Sequence, residues 1–133
     1  MVRELNIALI GCGNWGKNIA RNLHQMGSLA CIYDSNSELS ERLNHEHMLP
    51  NLELNKIFKD RNIKGVVIAS PAITHKKLAT EALKNDKDVF IEKPFCLSLH
   101  DAQKLSALAK NRNKILMVGH LLNYHNAFIE MKK

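Results

Sequence analysis

A chain of 133 residues, 45% apolar and 24% charged, fits one globular domain with a real core and not a fibrous or disordered polymer. No run approaches the ~20 apolar residues of a membrane span, and the opening MVRELNIALIG lacks the long apolar region of a leader, so a soluble, cytoplasmic protein without a membrane partner is expected. The net charge of +6 comes from basic residues scattered along the chain, as at 59–64, 76–77 and 110–114, with no aromatic residue interleaved; it reads as solvated surface, and no nucleic-acid partner is expected.

Residues 5–10, LNIALI, form a short apolar run that stops at Gly11, the pattern of a strand buried on both faces. The period then changes. Trp15, Ile19, Leu23 and Met26 recur at helical spacing, with Trp15 on the core-facing stripe and Gly27 as the stop. Residues 29–33, LACIY, make a second strand, and Ser35 with Glu38 makes a capping box for a helix carrying Leu39 and Leu43. A short third strand is expected at 52–54 and a helical turn at 55–60. The β-branched GVVIA at 65–69 is a fourth strand; beyond Pro71 a helix runs from Thr74 with Leu78, Ala79, Ala82 and Leu83 on one face. DVFI at 88–91 is a fifth strand. Ser98 and Asp101 form a second capping box, before a stripe of Ala102, Leu105, Leu108 and Ala109. ILMV at 115–118 is a sixth strand, and 124–133 reads as helix with Ala127, Phe128 and Met131 on one side.

Strands that alternate with helices call for parallel pairing and right-handed crossovers. The expected fold class is therefore α/β, a doubly wound parallel sheet in three α/β/α layers.

Cys12, Cys31 and Cys96 are odd in number, far apart and without a CxxC, which predicts reduced, mostly buried thiols and neither a disulfide framework nor a zinc site. His45 and His47 stand near the end of a polar helix with no further ligand close by; solvated surface is the reading, and no metal is expected.

Gly11, Gly13 and Gly16 fit G-x-G-x-x-G between a strand and a helix. In such a turn the first glycine permits the tight exit from the strand, the second lets a pyrophosphate approach the backbone, and the third packs helix on strand. The helix N-terminus then offers free N–H groups to the anion. Asp34, after the second strand, stands where a carboxylate meets the adenosine ribose. Such a group repels a 2′-phosphate, and its neighbours Ser35 and Asn36 include no arginine, so NAD is favoured over NADP. The alternative for Asp34 is a helix-capping carboxylate. Cys12, inside the motif, is assigned no chemistry.

FIEKPF, at 90–95, follows the fifth strand at the sheet edge where ligands bind. An ammonium from Lys93 there can hold a hydroxyl that is losing its proton, with Glu92 pairing to Lys93 and Pro94 stiffening the turn; the alternative is a surface lysine beside a loop proline. His120 follows Gly119 at the end of the sixth strand, on the same edge, and His125 is a weaker candidate.

The stretches IALIGCGNWGKNIARNL, YDS, ASPAITH and FIEKPF together resemble the N-terminal domain of the Gfo/Idh/MocA family of oxidoreductases. The Glu-Lys-Pro motif is the most specific mark, and the resemblance runs from Leu5 into the last helix. The closing VGHLLNYHNAF is similar to a subgroup that oxidises UDP-linked amino-sugar uronates. The resemblance implies a Rossmann NAD(P)-binding fold in which Gly11, Gly13, Asn14, Trp15 and Gly16 line the pyrophosphate and Asp34 holds the ribose. Ser70, Pro71, Thr74 and His75 would border the cofactor. Glu92, Lys93 and Pro94 would lie by the nicotinamide, Lys93 touching the substrate hydroxyl, with His120 and Asn123 nearby. It implies a dinucleotide-binding domain at 1–120, with 121–133 opening the connection to a second domain that supplies much of the substrate pocket and a histidine partner for the lysine. The expected function is a hydride transfer between a sugar or nucleotide-sugar secondary alcohol and NAD. The alternative is a nucleotide-binding fragment or subunit that binds NAD without turnover. A homo-oligomer, or a partner chain supplying the second domain, is a further expectation.

Overall fold

The chain passes through β1 (Ile7–Ile10), α1 (Asn14–Gln25), β2 (Leu29–Tyr33), α2 (Ser37–Glu46), α3 (Leu54–Lys59), β3 (Gly65–Ile68), α4 (Ala72–Lys84), β4 (Asp88–Ile91), α5 (Leu99–Asn111), β5 (Leu116–Val118), a 3₁₀ turn (Leu121–Tyr124) and α6 (Asn126–Met131). This computed structural model describes residues 4–133; residues 1–3, which open the stretch read above as lacking a leader, lie outside the described residues. No described helix is long and apolar enough to cross a membrane.

The five strands form one parallel sheet in the order β2-β1-β3-β4-β5. The chain winds outward from β1 to β2, then crosses back past β1 to β3, β4 and β5. The direction therefore switches between β1 and β3, and a crevice opens over the carboxyl ends of those two strands.

Both sheet faces are covered. Ala8 and Ile10 of β1 point into one cluster with Cys31, Val66, Ile68, Ala79, Leu83, Val89 and Ile91. Leu9 points the other way, to Ala20, Leu23, Leu29 and Ile32. That alternation is the period of two of a pleated strand, and two buried faces explain the near-continuous apolar runs. Each fully buried Leu, Ile or Val stabilises the fold by about 1.5–3 kcal/mol. The outer edge of β2 is occupied by Asn44 of α2. Its side chain accepts the Ile32 N–H at 2.8 Å and donates to the Ile32 carbonyl at 2.8 Å, so these backbone groups are not left open.

Several local expectations need correction. There are five strands among the described residues, not six: Leu52 sits in a connection, Leu54 begins α3, and both pack against the core without pairing to β2. The cap of α2 is Asn36, whose side chain accepts the Leu39 N–H at 3.3 Å, and not Ser35. Ser98 caps α5 as expected, accepting the Asp101 N–H at 3.2 Å, while the Asp101 carboxylate meets Lys76 Nζ at 2.6 Å across to α4. The terminal helix starts at Asn126, after a 3₁₀ turn, and buries no residue; Phe128 is half-buried and Met131 fully outward. The basic residues are less scattered than their spacing suggests. Lys59, Arg61, Lys64, Lys84, Lys87 and Lys114 surround one cavity of about 510 Å³ at the opposite end of the sheet from the glycine turn. Lys87 is buried there, donating to the carbonyls of Asp60 and Ile63.

Candidate functional site

The glycine turn is shaped by close approach. Gly11 has φ +93°, and a Cβ there would run into the backbone of Ala69 and Ser70 beyond β3; only glycine takes that conformation at no steric cost. A Cβ on Gly16 would strike the Gly11 carbonyl oxygen, so α1 lies directly on the turn. A Cβ on Gly13 would meet nothing within 4 Å. The turn is thus closed beneath and open above. Gly13 caps α1 without any side-chain bond, and the first turn of α1, starting at the exposed Asn14, holds no acidic residue. The N–H groups of a 12-residue helix are left for an anion. These features fit a dinucleotide pyrophosphate.

Asp34 follows β2 on one side of this turn. Its Oδ2 accepts the backbone N–H of Cys12 at 2.8 Å and the Cys12 thiol at 3.3 Å; Oδ1 accepts the Asn36 N–H at 2.9 Å. Burial opposes the charged form, but the Cys12 and Asn36 amides, with the Cys12 and Ser35 side chains, outweigh it and hold Asp34 below the usual carboxylate range. Burial first, then the Asp34 carboxylate, pushes the Cys12 thiol up to about 12. Cys12 is therefore a neutral donor at neutral pH. Asp34 belongs to the turn as much as to its own helix: it supports the start of α2 through Asn36 without being the cap.

A cleft of about 840 Å³ opens at the switch point, between the glycine turn and the loop after β3. Gly11, Gly13, Asp34, Ser70, Pro71 and Thr74 line it. Thr74 Oγ1 donates to the Pro71 carbonyl at 2.7 Å and lies 2.7 Å from Ser70 Oγ, which closes the first turn of α4. His75 is not at this cleft. It is 1% exposed, and its ring nitrogens lie 2.8 Å from the Ser70 carbonyl and 2.9 Å from the Pro94 carbonyl, so it ties the loop after β3 to the loop after β4.

The second group of residues lies farther along the same sheet edge. Ile91 pairs with Val118, so Lys93 and His120 each stand two residues beyond a matched pair on neighbouring strands. Both are exposed. Glu92 is 9% exposed and makes no ion pair with Lys93; its Oε1 accepts the indole N–H of Trp15 at 2.9 Å. Trp15 is accordingly not a core residue: it is 47% exposed at the start of α1, on the β4 side of the turn. Pro94 is exposed, joined to Lys93 by a cis peptide bond. Asn123, in the 3₁₀ turn after β5, is exposed and accepts from Lys132 Nζ at 3.0 Å. His125 is the exposed N-cap residue of α6. His47 lies against His24 with ring centroids 4.6 Å apart and planes tilted by 44°, and no group of three metal-binding side chains occurs among the described residues.

Three contributors escape a reading by motif. Cys12 holds Asp34, which depends on β1 lying beside β2. Gly119 leaves room for the Glu92 carboxylate, which depends on β5 lying beside β4. Lys77, with Ile73 and Leu78, lines the cleft; its spacing from Thr74 along one helix face is the signal that could have found it.

A family model described as an oxidoreductase family with an NAD-binding Rossmann fold matches residues 5–120. Among curated relatives, the 2,7-anhydro-N-acetylneuraminate hydratase of Escherichia coli (strain K12) is 31% identical over 92% of this chain and 33% of its own length. Among solved structures, UDP-N-acetylglucosamine 3-dehydrogenase GnnA from Acidithiobacillus ferrooxidans matches with a TM-score of 0.89 at 26% identity, over 96% of this chain and 42% of its own. GenD2 from gentamicin A biosynthesis, solved with NAD, matches with a TM-score of 0.84 at 29% identity, over 90% and 35%. The chain thus spans between a third and just over two fifths of the length of these proteins.

Proposed function

We propose, from the premise that this chain belongs to the Gfo/Idh/MocA oxidoreductase family, that it is the NAD-binding part of an enzyme that moves a hydride between a secondary alcohol of a sugar or nucleotide sugar and the cofactor. The observation that carries the reading is the pairing of an open, uncapped helix N-terminus at Gly13 with a hydrogen-bonded carboxylate, Asp34, across one cleft. The first suits a pyrophosphate and the second a ribose diol.

In this reading the adenosine lies toward Asp34, Ser70, Pro71 and Thr74, and the dinucleotide runs over Gly13 toward the ends of β4 and β5. The nicotinamide, when bound, supplies the hydride chemistry. The chain's own part is orientation and charge. Lys93 donates to the substrate oxygen and stabilises the negative charge that develops there as the hydroxyl is oxidised, the proton passing to the histidine partner that the family's second domain would supply, and His120 and Asn123 stand on the substrate side. NAD is preferred over NADP because the Asp34 carboxylate would face a 2′-phosphate. The dinucleotide-binding unit ends near residue 120, and the remainder of the substrate pocket comes from a second domain, beyond 121–133 or on a partner chain. GnnA acts on a UDP-sugar by name, and the motif at 118–128 supports a related UDP-linked substrate. The relative named as a hydratase makes the net reaction a quantity to measure.

Titration calorimetry with NAD tests the binding part of the reading; absence of dinucleotide binding would end it. Following NADH absorbance with UDP-sugars, using the chain within its full-length protein, tests the hydride transfer.

A further inference from the structure

Three lysines stand in a row at the end of the sheet away from the glycine turn. Gly65 of β3 pairs with Asp88 of β4, and Val89 of β4 pairs with Leu116 of β5. Lys64, Lys87 and Lys114 are therefore level with one another where the chain enters three neighbouring parallel strands. All three line the cavity of about 510 Å³. Lys59 and Lys84, from the last turns of α3 and α4, and Arg61, just after α3, complete its rim.

These six cations share the lining with one carboxylate, Asp86, which is turned to Arg112 at 3.5 Å. That imbalance amounts to most of the chain's net charge of +6. None of the six forms an ion pair among the described residues. Lys87 is 4% exposed and donates to the carbonyls of Asp60 and Ile63, and Lys64 Nζ donates to the Arg61 carbonyl at 2.7 Å. Such carbonyls, at the close of a helix, carry only partial negative charge. The side chains of Lys59, Arg61, Lys84 and Lys114 donate to no described group. Burial lowers the Lys87 ammonium below the usual lysine range; Asp60 and Asp86 oppose the drop, and Lys64 and Lys114 deepen it. Like charges side by side on neighbouring strands cost stability, and here no carboxylate of the fold offsets them.

We propose that this cavity is a second anion site, separate from the dinucleotide cleft, that takes a compact oligophosphate carrying three or more negative charges. Neighbouring strands lie ~4.8 Å apart, so the row of three lysines spans about 10 Å. One tetrahedral phosphate does not cover that row, and a short chain of them does. Lys87 sits at its centre with one of its three N–H groups still free, and the exposed cations of the rim fold over the ends. Nucleic acid fits less well, because the one aromatic residue of the lining, Phe58, is buried and offers no face to a base. The site shares no residue with the cleft of the glycine turn, so it stands apart from the function proposed above.

The test is calorimetry at neutral pH and low ionic strength with inorganic tripolyphosphate, on the whole chain with NAD in excess so that the glycine turn is filled. The unaltered chain should bind one equivalent about tenfold or more tighter than inorganic phosphate, the scale of one added charge-assisted hydrogen bond. Added salt should weaken this binding steeply. Replacing three rim cations together, Lys59→Gln, Lys84→Gln and Lys114→Gln, should weaken tripolyphosphate by about tenfold or more and leave NAD affinity unchanged. A control that removes three exposed cations elsewhere, Arg21→Gln, Lys104→Gln and Lys133→Gln, lowers the net charge equally and should leave tripolyphosphate affinity nearly unchanged. Tripolyphosphate bound no tighter than phosphate, or equal losses in the two triple variants, would overturn the proposal. Tighter binding of a single-stranded oligonucleotide through the same lysines would overturn it as well, in favour of a nucleic-acid surface. Failure of NAD to bind, with tripolyphosphate binding kept and still lost in the rim variant, would instead remove the function reading and leave this site standing.

Discussion

Cys12 gives both of its donors to one oxygen of Asp34: the backbone N–H at 2.8 Å and the thiol at 3.3 Å. A residue of the β1–α1 turn thereby sets the direction of a carboxylate that follows β2. The two ends of the proposed adenosine diphosphate site, one made of N–H groups and one of a carboxylate, are built as a single unit.

That unit should prefer NAD to NADP. Calorimetry with both cofactors checks it, and equal or tighter binding of NADP by the unaltered chain would end the claim. Asp34→Ala should narrow the preference, since both the diol acceptor and the like charge are gone. Cys12→Ala keeps the amide bond and loses only the thiol, so its effect on the same ratio should be a few-fold at most.

The glycines of the turn should separate stability from binding. Gly11→Ala places a methyl against the Ala69 and Ser70 backbone at φ +93° and should cost ~1–3 kcal/mol or more in urea unfolding. Gly13→Ala points a methyl into open space and should leave stability within ~0.5 kcal/mol. The same methyl sits where the pyrophosphate approaches, so NAD affinity should fall. The reverse pattern would mean that the open side of the turn is not the ligand side.

The ionisable groups of the site should show themselves at both ends of the pH scale. Hydrogen bonds hold Asp34 below the usual carboxylate range; its contribution to stability is present above the unfolded value of ~3.9 and is lost as pH falls through the folded value. Asp34→Asn should therefore flatten the acid limb of a Tm-against-pH curve. Burial pushes Cys12 and Cys31 up to about 12. Stability from these neutral thiols is complete below the unfolded value of ~8.5 and declines as pH rises from there toward 12. At pH 8 a thiol reagent should label at most the half-buried Cys96 in the native chain, and all three thiols in denaturant. Rapid native labelling of Cys12 would contradict the closed turn.

Lys93→Ala should leave fold and NAD affinity nearly unchanged, because the side chain is exposed and makes no ion pair among the described residues. Within the full-length protein the same change should lower turnover by ~10²-fold or more, the scale of a positioned donor to developing charge. The 133-residue chain should bind NAD without enzyme-like turnover, since a substrate held from one side loses orientation worth ~7–11 kcal/mol of barrier. NADH production near ~10 s⁻¹ by this chain, or full activity of the Lys93→Ala protein, would overturn the corresponding statement.

Much of the fold is written locally. The apolar runs at β1, β3 and β4 and the helical stripes of α1, α4 and α5 follow from periodicity, because burial on a strand or helix face repeats at a fixed interval. The Ser98 cap is legible for the same reason: donor and acceptor are three residues apart. The short L-E-L at 52–54 misled because three residues carry no period long enough to tell a strand from a buried connection. Ser35 misled because Asn36, one residue on, offers an equally good cap.

The motif residues Gly11, Gly13, Gly16, Asp34 and Lys93 are visible in the chain as residue types at known spacings. What they touch is not. Trp15 sits on a helical apolar stripe by spacing, yet its indole reaches Glu92, 77 residues away. Glu92 adjoins Lys93 in sequence, but successive residues at a strand end point to opposite sides, so the two do not pair. His75 follows the same loop as Ser70 and Thr74, but its helical position turns it inward onto two carbonyls. Cys12 with Asp34, Trp15 with Glu92 and Gly119 with Glu92 all join residues of different elements. Only the strand order β2-β1-β3-β4-β5 brings them within hydrogen-bond or van der Waals reach, because contacts of that range depend on which strands are neighbours and not on which residues are consecutive.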